Sequence, residues 1–100
     1  MILTGARFDA PWALSRGLVN EVVAPLAVMP RALEIAELIA KNAPVATQLS
    51  KRAVTTSTDL SLDEGLALER TLSRQALGTW DAEEGPRAFA EKRAPTFRGK

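Results

Sequence analysis

The 100-residue sequence contains no cysteine and no histidine. Without cysteine, the chain forms no disulfide, has no thiolate nucleophile and offers no sulfur ligand to zinc. Without histidine, it lacks the commonest general base, the Ser-His-Asp triad and the ligand of most transition-metal sites. We therefore expect no metal site, and catalysis of these kinds is excluded.

The chain also lacks an excess of charge, because 13 basic and 12 acidic residues leave a net charge of +1. Its basic dipeptides, Lys51-Arg52 and Lys92-Arg93, are isolated, and its three Phe and two Trp are scattered. A nucleic-acid surface would need a basic stripe with stacking aromatics, so no nucleic-acid partner is expected. A solvated face is the ordinary interpretation of the dipeptides, and a phosphate contact is the alternative.

No apolar run is long enough to cross a bilayer. The longest apolar-rich stretch, residues 26–43, is interrupted by Pro30 and by charged side chains. Residues 1–6 lack the charged start and the long apolar core of a signal peptide. We therefore expect a cytoplasmic protein with no membrane partner. The 46% apolar and 25% charged content is typical of a globular chain.

Residues 1–24 predict a small helix–strand element. Asp9, followed by Ala-Pro-Trp, is typical of a helix N-cap with proline in the first turn, and Gly17 suits the end of that helix. Residues 18–23, LVNEVV, predict a short strand. A single strand cannot satisfy its own backbone groups, so we expect it to belong to a sheet that this chain does not contain.

Residues 25–100 predict four helices joined by short links. The first begins at Leu26 or Met29 and ends near Asn42, and the second runs from Pro44 to about Thr56. Their apolar stripes fit a small bundle, packing on another domain, or packing on a partner subunit.

The last two helices carry their own start and stop residues. A capping box, Ser61 to Glu64, opens the third helix, and Gly78 ends it. A similar box at Asp81 and Glu84 opens the fourth helix, and Pro95 stops it. The aromatic side chains are expected to be core or interface anchors, with Phe89 as the buried aromatic of the last helix.

Two groups of acidic residues have structural and functional interpretations. Asp81, Glu83 and Glu84 lie in a first helical turn, where capping and solvation are preferred to a catalytic carboxylate pair. Glu69 lies on the apolar stripe of the third helix. A carboxylate among leucines needs a partner, so a buried salt bridge to an arginine is preferred to a catalytic acid.

Five blocks in the chain form an ordered pattern. Residues 81–97 have the form D-x-x-EG-x-x-AF-x-EKR-x-P-x-F. The other four blocks are ILTGARF at 2–8, ALSRGLVNEVV at 13–23, NAPVATQLSK at 42–51 and EGLALE at 64–69. Together they resemble the C-terminal portion of the enoyl-CoA hydratase/isomerase, or crotonase, superfamily.

The resemblance implies a mainly α fold. Family members have an N-terminal ββα-spiral core that binds an acyl-CoA thioester, two backbone N–H groups that stabilise its enolate, and acidic residues that transfer protons in hydratases. These elements precede the LTG segment. The resemblance therefore implies that residues 1–24 are the last edge of that core and that residues 25–100 are the helical C-terminal domain of the trimerisation type.

The same resemblance implies no catalytic residue and no covalently bound cofactor in this chain, with a coenzyme A thioester as the substrate of the complete enzyme. Lys92 stands at the lysine of EKR, which in some members reaches the phosphate or adenine end of CoA. Ser73 stands where some hydratases place an aromatic beside the adenine, so that contact is not expected here.

The sequence therefore predicts the C-terminal part of an acyl-CoA-processing protein that is inactive alone. Hydration of a 2-enoyl-CoA is preferred to isomerisation or other enolate chemistry. The alternative is a non-catalytic module that self-associates as a trimer or docks on a core supplied by another chain.

Overall fold

The computed structural model describes residues 2–100, and the regular structure within them is helical. The helices are α1 (Ala10–Ser15), a 3₁₀ helix (Pro25–Ala27), α2 (Val28–Ala40), α3 (Pro44–Ser57), α4 (Leu62–Leu77) and α5 (Trp80–Ala90). The chain divides into two compact units, and the division, after Ile35, falls within α2. The mainly α class is as predicted.

Helix α1, in the first unit, begins and ends as the sequence predicts. The Asp9 carboxylate accepts a hydrogen bond from the N–H of Trp12 at 2.9 Å, which satisfies an orphan donor of the first turn. Gly17 has a left-handed backbone, with φ 68°. The N–H of Leu18 then donates to the carbonyl of Ala13 at 3.0 Å, as in a Schellman motif.

The strand predicted over residues 18–23 is absent, and residues 2–100 contain no strand of any kind. A strand requires a ladder of hydrogen bonds to a neighbour, and none pairs with this segment. A side-chain contact holds it instead. Arg31 donates from Nε and Nη2 to the Glu21 carboxylate, at 2.7 and 2.6 Å, and this lowers the pKa of Glu21.

The prolines of α2 and α3 lie where the sequence predicts. Pro30 is in the first turn of α2, where its missing N–H removes no helical hydrogen bond. Past the end of α2, the side-chain amide of Asn42 donates from Nδ2 to the carbonyl of Leu38 at 2.9 Å. Pro44 is the first residue of α3.

Helix α4 opens with the predicted capping box. The N–H of Ser61 donates to the Glu64 carboxylate at 2.9 Å, and the N–H of Glu64 donates to Ser61 Oγ at 3.4 Å. Gly78 caps the other end. Helix α4 packs mainly on α3, and a Cβ at Gly65 would lie only 3.7 Å from the Cβ of Ser57. That distance is an ordinary van der Waals contact, so Gly65 lies at the contact between these two helices.

Helix α5 differs from the prediction at both ends. Its N-cap is Thr79, whose Oγ1 accepts from the N–H of Ala82 at 3.3 Å, so the box predicted at Asp81 and Glu84 is wrong. The helix ends at Ala90 rather than at Pro95. The chain leaves the helix because Lys92 has a left-handed backbone, with φ 53°.

Few apolar side chains are buried among the described residues: Leu72 is 3% exposed and Ala88 is 0% exposed. Phe89, the predicted buried aromatic, is 86% exposed in the single chain, so its predicted burial within α5's own core is wrong and an interface role stays a prediction. Phe89 lies about 100° around the helix from Ala88, which faces inward. No described helix has both the length and the apolar character required to span a membrane.

Candidate functional site

The residues that follow α5 fold back along that helix, and we call residues 91–100 the C-terminal strap. The reversal begins at Lys92, whose N–H donates to the carbonyl of Phe89 at 3.1 Å. The N–H of Arg93 donates to the carbonyl of Ala88 at 3.0 Å. These two bonds form a Schellman motif with lysine at the position that usually holds glycine.

Glu84 holds the first half of the strap. Its side chain is buried, and Oε1 accepts from the N–H of Thr96 at 3.0 Å and from Arg93 Nη1 at 2.5 Å. Oε2 accepts from Arg93 Nη2 at 3.0 Å and from Arg87 Nη2 at 2.6 Å. The hydrogen bonds from Arg93, then Arg87, then the Thr96 backbone hold the pKa of Glu84 well below its usual range.

Asp81 holds the second half of the strap. Its buried carboxylate accepts from the N–H of Arg98 at 2.7 Å through Oδ1 and from the N–H of Gly99 at 2.8 Å through Oδ2. Gly99 has φ 69°, and a Cβ there would lie 3.7 Å from the Pro44 ring. The Asp81 carboxylate therefore binds backbone N–H groups of the strap rather than its side chains.

Capping and solvation were the predicted roles of these acidic residues, and for Asp81 and Glu84 the prediction is wrong. Only Glu83, which lies between them, is exposed. The spacing contains information that sequence reasoning missed: carboxylates three residues apart lie on one helix face, and Ala88 continues that face one turn later. The sequence alone does not indicate that a segment more than ten residues away returns to this face.

The arginines around the strap are occupied. The Arg98 guanidinium lies 4.4 Å from the ring centroid of Trp80, and that of Arg87 lies 5.4 Å from it. Arg93 also donates from Nε to the Glu91 carboxylate at 2.5 Å. Lys92, by contrast, takes part in no ion pair within residues 2–100. It is therefore the cation of this turn that can meet an external anion.

A groove of about 710 Å³ lies along α3 and α4. Glu69 and Ser73 line it one helical turn apart, among mostly apolar residues. Glu69 is exposed and has no ion pair in the described part of the chain, so the predicted buried salt bridge is wrong. The apolar stripe beside it is uncovered, since Leu62 is 78% and Leu66 40% exposed. Water therefore still solvates the carboxylate.

Residues 2–100 contain no cluster of three or more acidic side chains that could hold a metal ion. The chain matches the model of the enoyl-CoA hydratase/isomerase family over residues 1–100. The chain belongs to this family. The family resemblance of its five sequence blocks, from the LTG segment to the EKR segment, is thus confirmed.

Several enoyl-CoA hydratase/isomerase relatives are similar along the whole chain. It is 41% identical over 99 residues to (E)-benzylidenesuccinyl-CoA hydratase of Thauera aromatica, a match covering 99% of this chain and 39% of the relative. It is 39% identical over 104 residues to carnitinyl-CoA dehydratase of Proteus mirabilis strain HI4320, covering 100% of this chain and 40% of the relative.

The fold is also that of a solved family member. The crystal structure of enoyl-CoA hydratase from Bacillus anthracis superposes with a TM-score of 0.95 and 39% identity, covering 99% of this chain and 38% of that one. The chain thus spans about two-fifths of the length of the relatives that it matches.

Proposed function

We propose that this chain is the helical C-terminal part of an acyl-CoA-processing protein, with residues 1–24 as the last edge of the core and residues 25–100 as the helical domain. The superposition on an enoyl-CoA hydratase along 99% of the chain is the observation that carries this proposal. Hydration of a 2-enoyl-CoA is the preferred reaction, since the two relatives described above are named as a hydratase and a dehydratase of CoA thioesters.

We further propose that the 100-residue chain alone has no turnover. The two buried carboxylates, Asp81 and Glu84, already accept hydrogen bonds from the strap, so neither is free to transfer a proton. Glu69 is exposed on α4, away from any second carboxylate or arginine partner in the described chain. The test is hydration of crotonyl-CoA by the purified chain. No loss of the enoyl thioester is expected, and measurable hydration would overturn the proposal.

Lys92 is the residue that we propose for contact with a phosphate group of CoA. Its ammonium has no intramolecular partner in the described chain, whereas the neighbouring Arg93 is held by two carboxylates. A free cation on an exposed turn suits a phosphate. Titration of the chain with CoA, compared with Lys92→Asn, tests the contact, and equal affinities would refute it.

A second candidate function is a non-catalytic module that self-associates or docks on a core in another chain. The open groove along α3 and α4 favours it, together with exposed apolar side chains such as Val54 (69%) and Leu62 (78%). Sedimentation of the purified chain, with and without CoA, tests this function. A stable trimer would support it, whereas a folded monomer that ignores CoA would count against it.

A further inference from the structure

We infer that Glu84 is a positioning residue for Lys92. Its buried carboxylate holds the C-terminal strap so that residue 92 keeps a left-handed backbone, and this fixes the place from which the Lys92 ammonium meets a phosphate of CoA. The inference rests on the proposed contact between Lys92 and CoA.

The first support is the backbone of Lys92 itself. Lys92 is the non-glycine residue with positive φ in the described chain, at 53°. Glycine adopts this conformation without the clash that a Cβ introduces, so lysine here is the less stable choice. A residue held in an unfavourable conformation is a candidate for function, and the part that distinguishes lysine from glycine is the charged side chain.

The second support is how tightly the next residue is held. Arg93 gives three of its guanidinium nitrogens to carboxylates: Nη1 and Nη2 to Glu84, at 2.5 and 3.0 Å, and Nε to Glu91, at 2.5 Å. Glu84 also accepts from the N–H of Thr96 at 3.0 Å. Lys92 lies directly between the end of α5 and this fixed point, so the contacts of Glu84 hold the turn on its C-terminal side.

The third support is the balance of charge at the turn. The carboxylates of Glu84 and Glu91 are paired with Arg87 and Arg93. Lys92 joins none of these pairs, so its positive charge is not neutralised within residues 2–100. The network therefore fixes the backbone on both sides of Lys92 and leaves its ammonium available.

The test is a double-mutant cycle on the full 100-residue chain, titrated with CoA. Lys92→Asn removes the charge, and asparagine tolerates the left-handed region, so the turn is kept. We expect Lys92→Asn and Glu84→Gln each to weaken CoA binding about tenfold, as loss of a charge-assisted hydrogen bond does. The double variant should bind no more weakly than Lys92→Asn alone, because both changes remove one contact. Glu83→Gln is the matched control and should bind as the parent does.

A second readout needs no ligand. The NMR coupling between the amide and α protons of residue 92 reports its φ, and it should change in Glu84→Gln but not in Glu83→Gln. If Glu84→Gln fails to fold, Arg93→Lys replaces it, because lysine cannot form the two-pronged contact with Glu84.

The outcomes separate the two ideas. If the parent chain does not bind CoA, or if Lys92→Asn binds CoA as tightly as the parent, the proposed contact fails. The role of Glu84 toward CoA then fails with it. If Lys92→Asn weakens binding but Glu84→Gln binds normally with an unchanged coupling at residue 92, the contact stands and the positioning role is overturned.

Discussion

Lys92 and Gly17 occupy the same position in the same helix-ending motif. Both have left-handed backbones, with φ 53° and 68°. In each case the residue donates its N–H to the carbonyl three residues back, and the next residue donates to the carbonyl five residues back. Position 92 has a side chain and position 17 does not. The two turns therefore allow the free-energy cost of a Cβ in a left-handed backbone to be compared within one chain.

We expect Lys92→Gly to raise the free energy of unfolding of the second unit by about 1 kcal/mol, because glycine removes the left-handed strain. Urea denaturation measures the change. The reciprocal variant, Gly17→Lys, should destabilise α1 by about the same amount. Apart from its chain neighbours, no atom lies within 4 Å of a Cβ built at Gly17, so the cost there comes from the local backbone conformation and not from a clash with another part of the chain. A Lys92→Gly variant less stable than the parent would contradict this account.

Most features decided within one helical turn were predictable from the sequence, although the box predicted at Asp81 and Glu84 was wrong because Thr79 caps α5. The Asp9 cap, the Gly17 stop and the Ser61–Glu64 box all depend on contacts between residues three to five apart. Features decided over longer separations were not. Asp81 meets Arg98 seventeen residues later, and residue type in a first turn indicates only that a carboxylate is favourable there.

The features of the candidate site were also predictable from the sequence only in part. The EKR pattern was enough to single out Lys92, but its left-handed backbone and its lack of an ion pair needed coordinates. The predicted strand failed because a strand is defined by its neighbour, which residues 2–100 do not supply. The predicted core position of Phe89 was wrong because periodicity identifies an apolar residue without showing that another part of the chain covers it.

Asp81→Ala should reduce the free energy of unfolding of the second unit by about 1–3 kcal/mol, because two backbone N–H groups lose their acceptor. Those groups belong to Arg98 and Gly99. Amide exchange at residue 99 should accelerate at the same time. Glu83→Ala, at the exposed neighbouring position, is the control and should stay within about 0.5 kcal/mol of the parent. Equal stability of the two variants would show that the hydrogen bonds from the strap to Asp81 add nothing to the free energy of unfolding.

The stability of the second unit should fall in acid through Glu84. Its pKa is lowered in the folded chain by Arg93, Arg87 and the Thr96 backbone. A lowered pKa means that the unfolded chain binds the proton more readily, so the contribution is complete above the ordinary value of about 4.5. It is then lost progressively as the pH falls from there toward the lower, folded pKa. Glu84→Gln should therefore be less stable than Glu83→Gln at neutral pH. The gap between the two variants should narrow in acid, and a gap independent of pH would refute the ionic role.

Ser61→Ala should destabilise α4 by about 1 kcal/mol, the usual cost of losing an N-cap oxygen. The Ser61 hydroxyl both accepts from the Glu64 N–H and donates to the Glu64 carboxylate, at 3.4 and 2.6 Å. Ser61→Thr keeps both functions and should restore most of the loss. Helix content by circular dichroism during urea denaturation measures both variants. A Ser61→Thr variant as unstable as Ser61→Ala would argue against capping as the cause.

The apolar residues Leu72 and Phe89 should respond in opposite ways to truncation. Leu72 is 3% exposed, so Leu72→Ala should cost about 2 kcal/mol or more, the transfer energy plus the cavity that remains. Phe89 is 86% exposed, so Phe89→Ala should change the monomer by less than about 0.5 kcal/mol. Urea denaturation at two protein concentrations distinguishes the alternatives for Phe89. A loss of stability in Phe89→Ala that grows with concentration would mean that this ring is buried between chains, which would favour the assembly function over an isolated fragment.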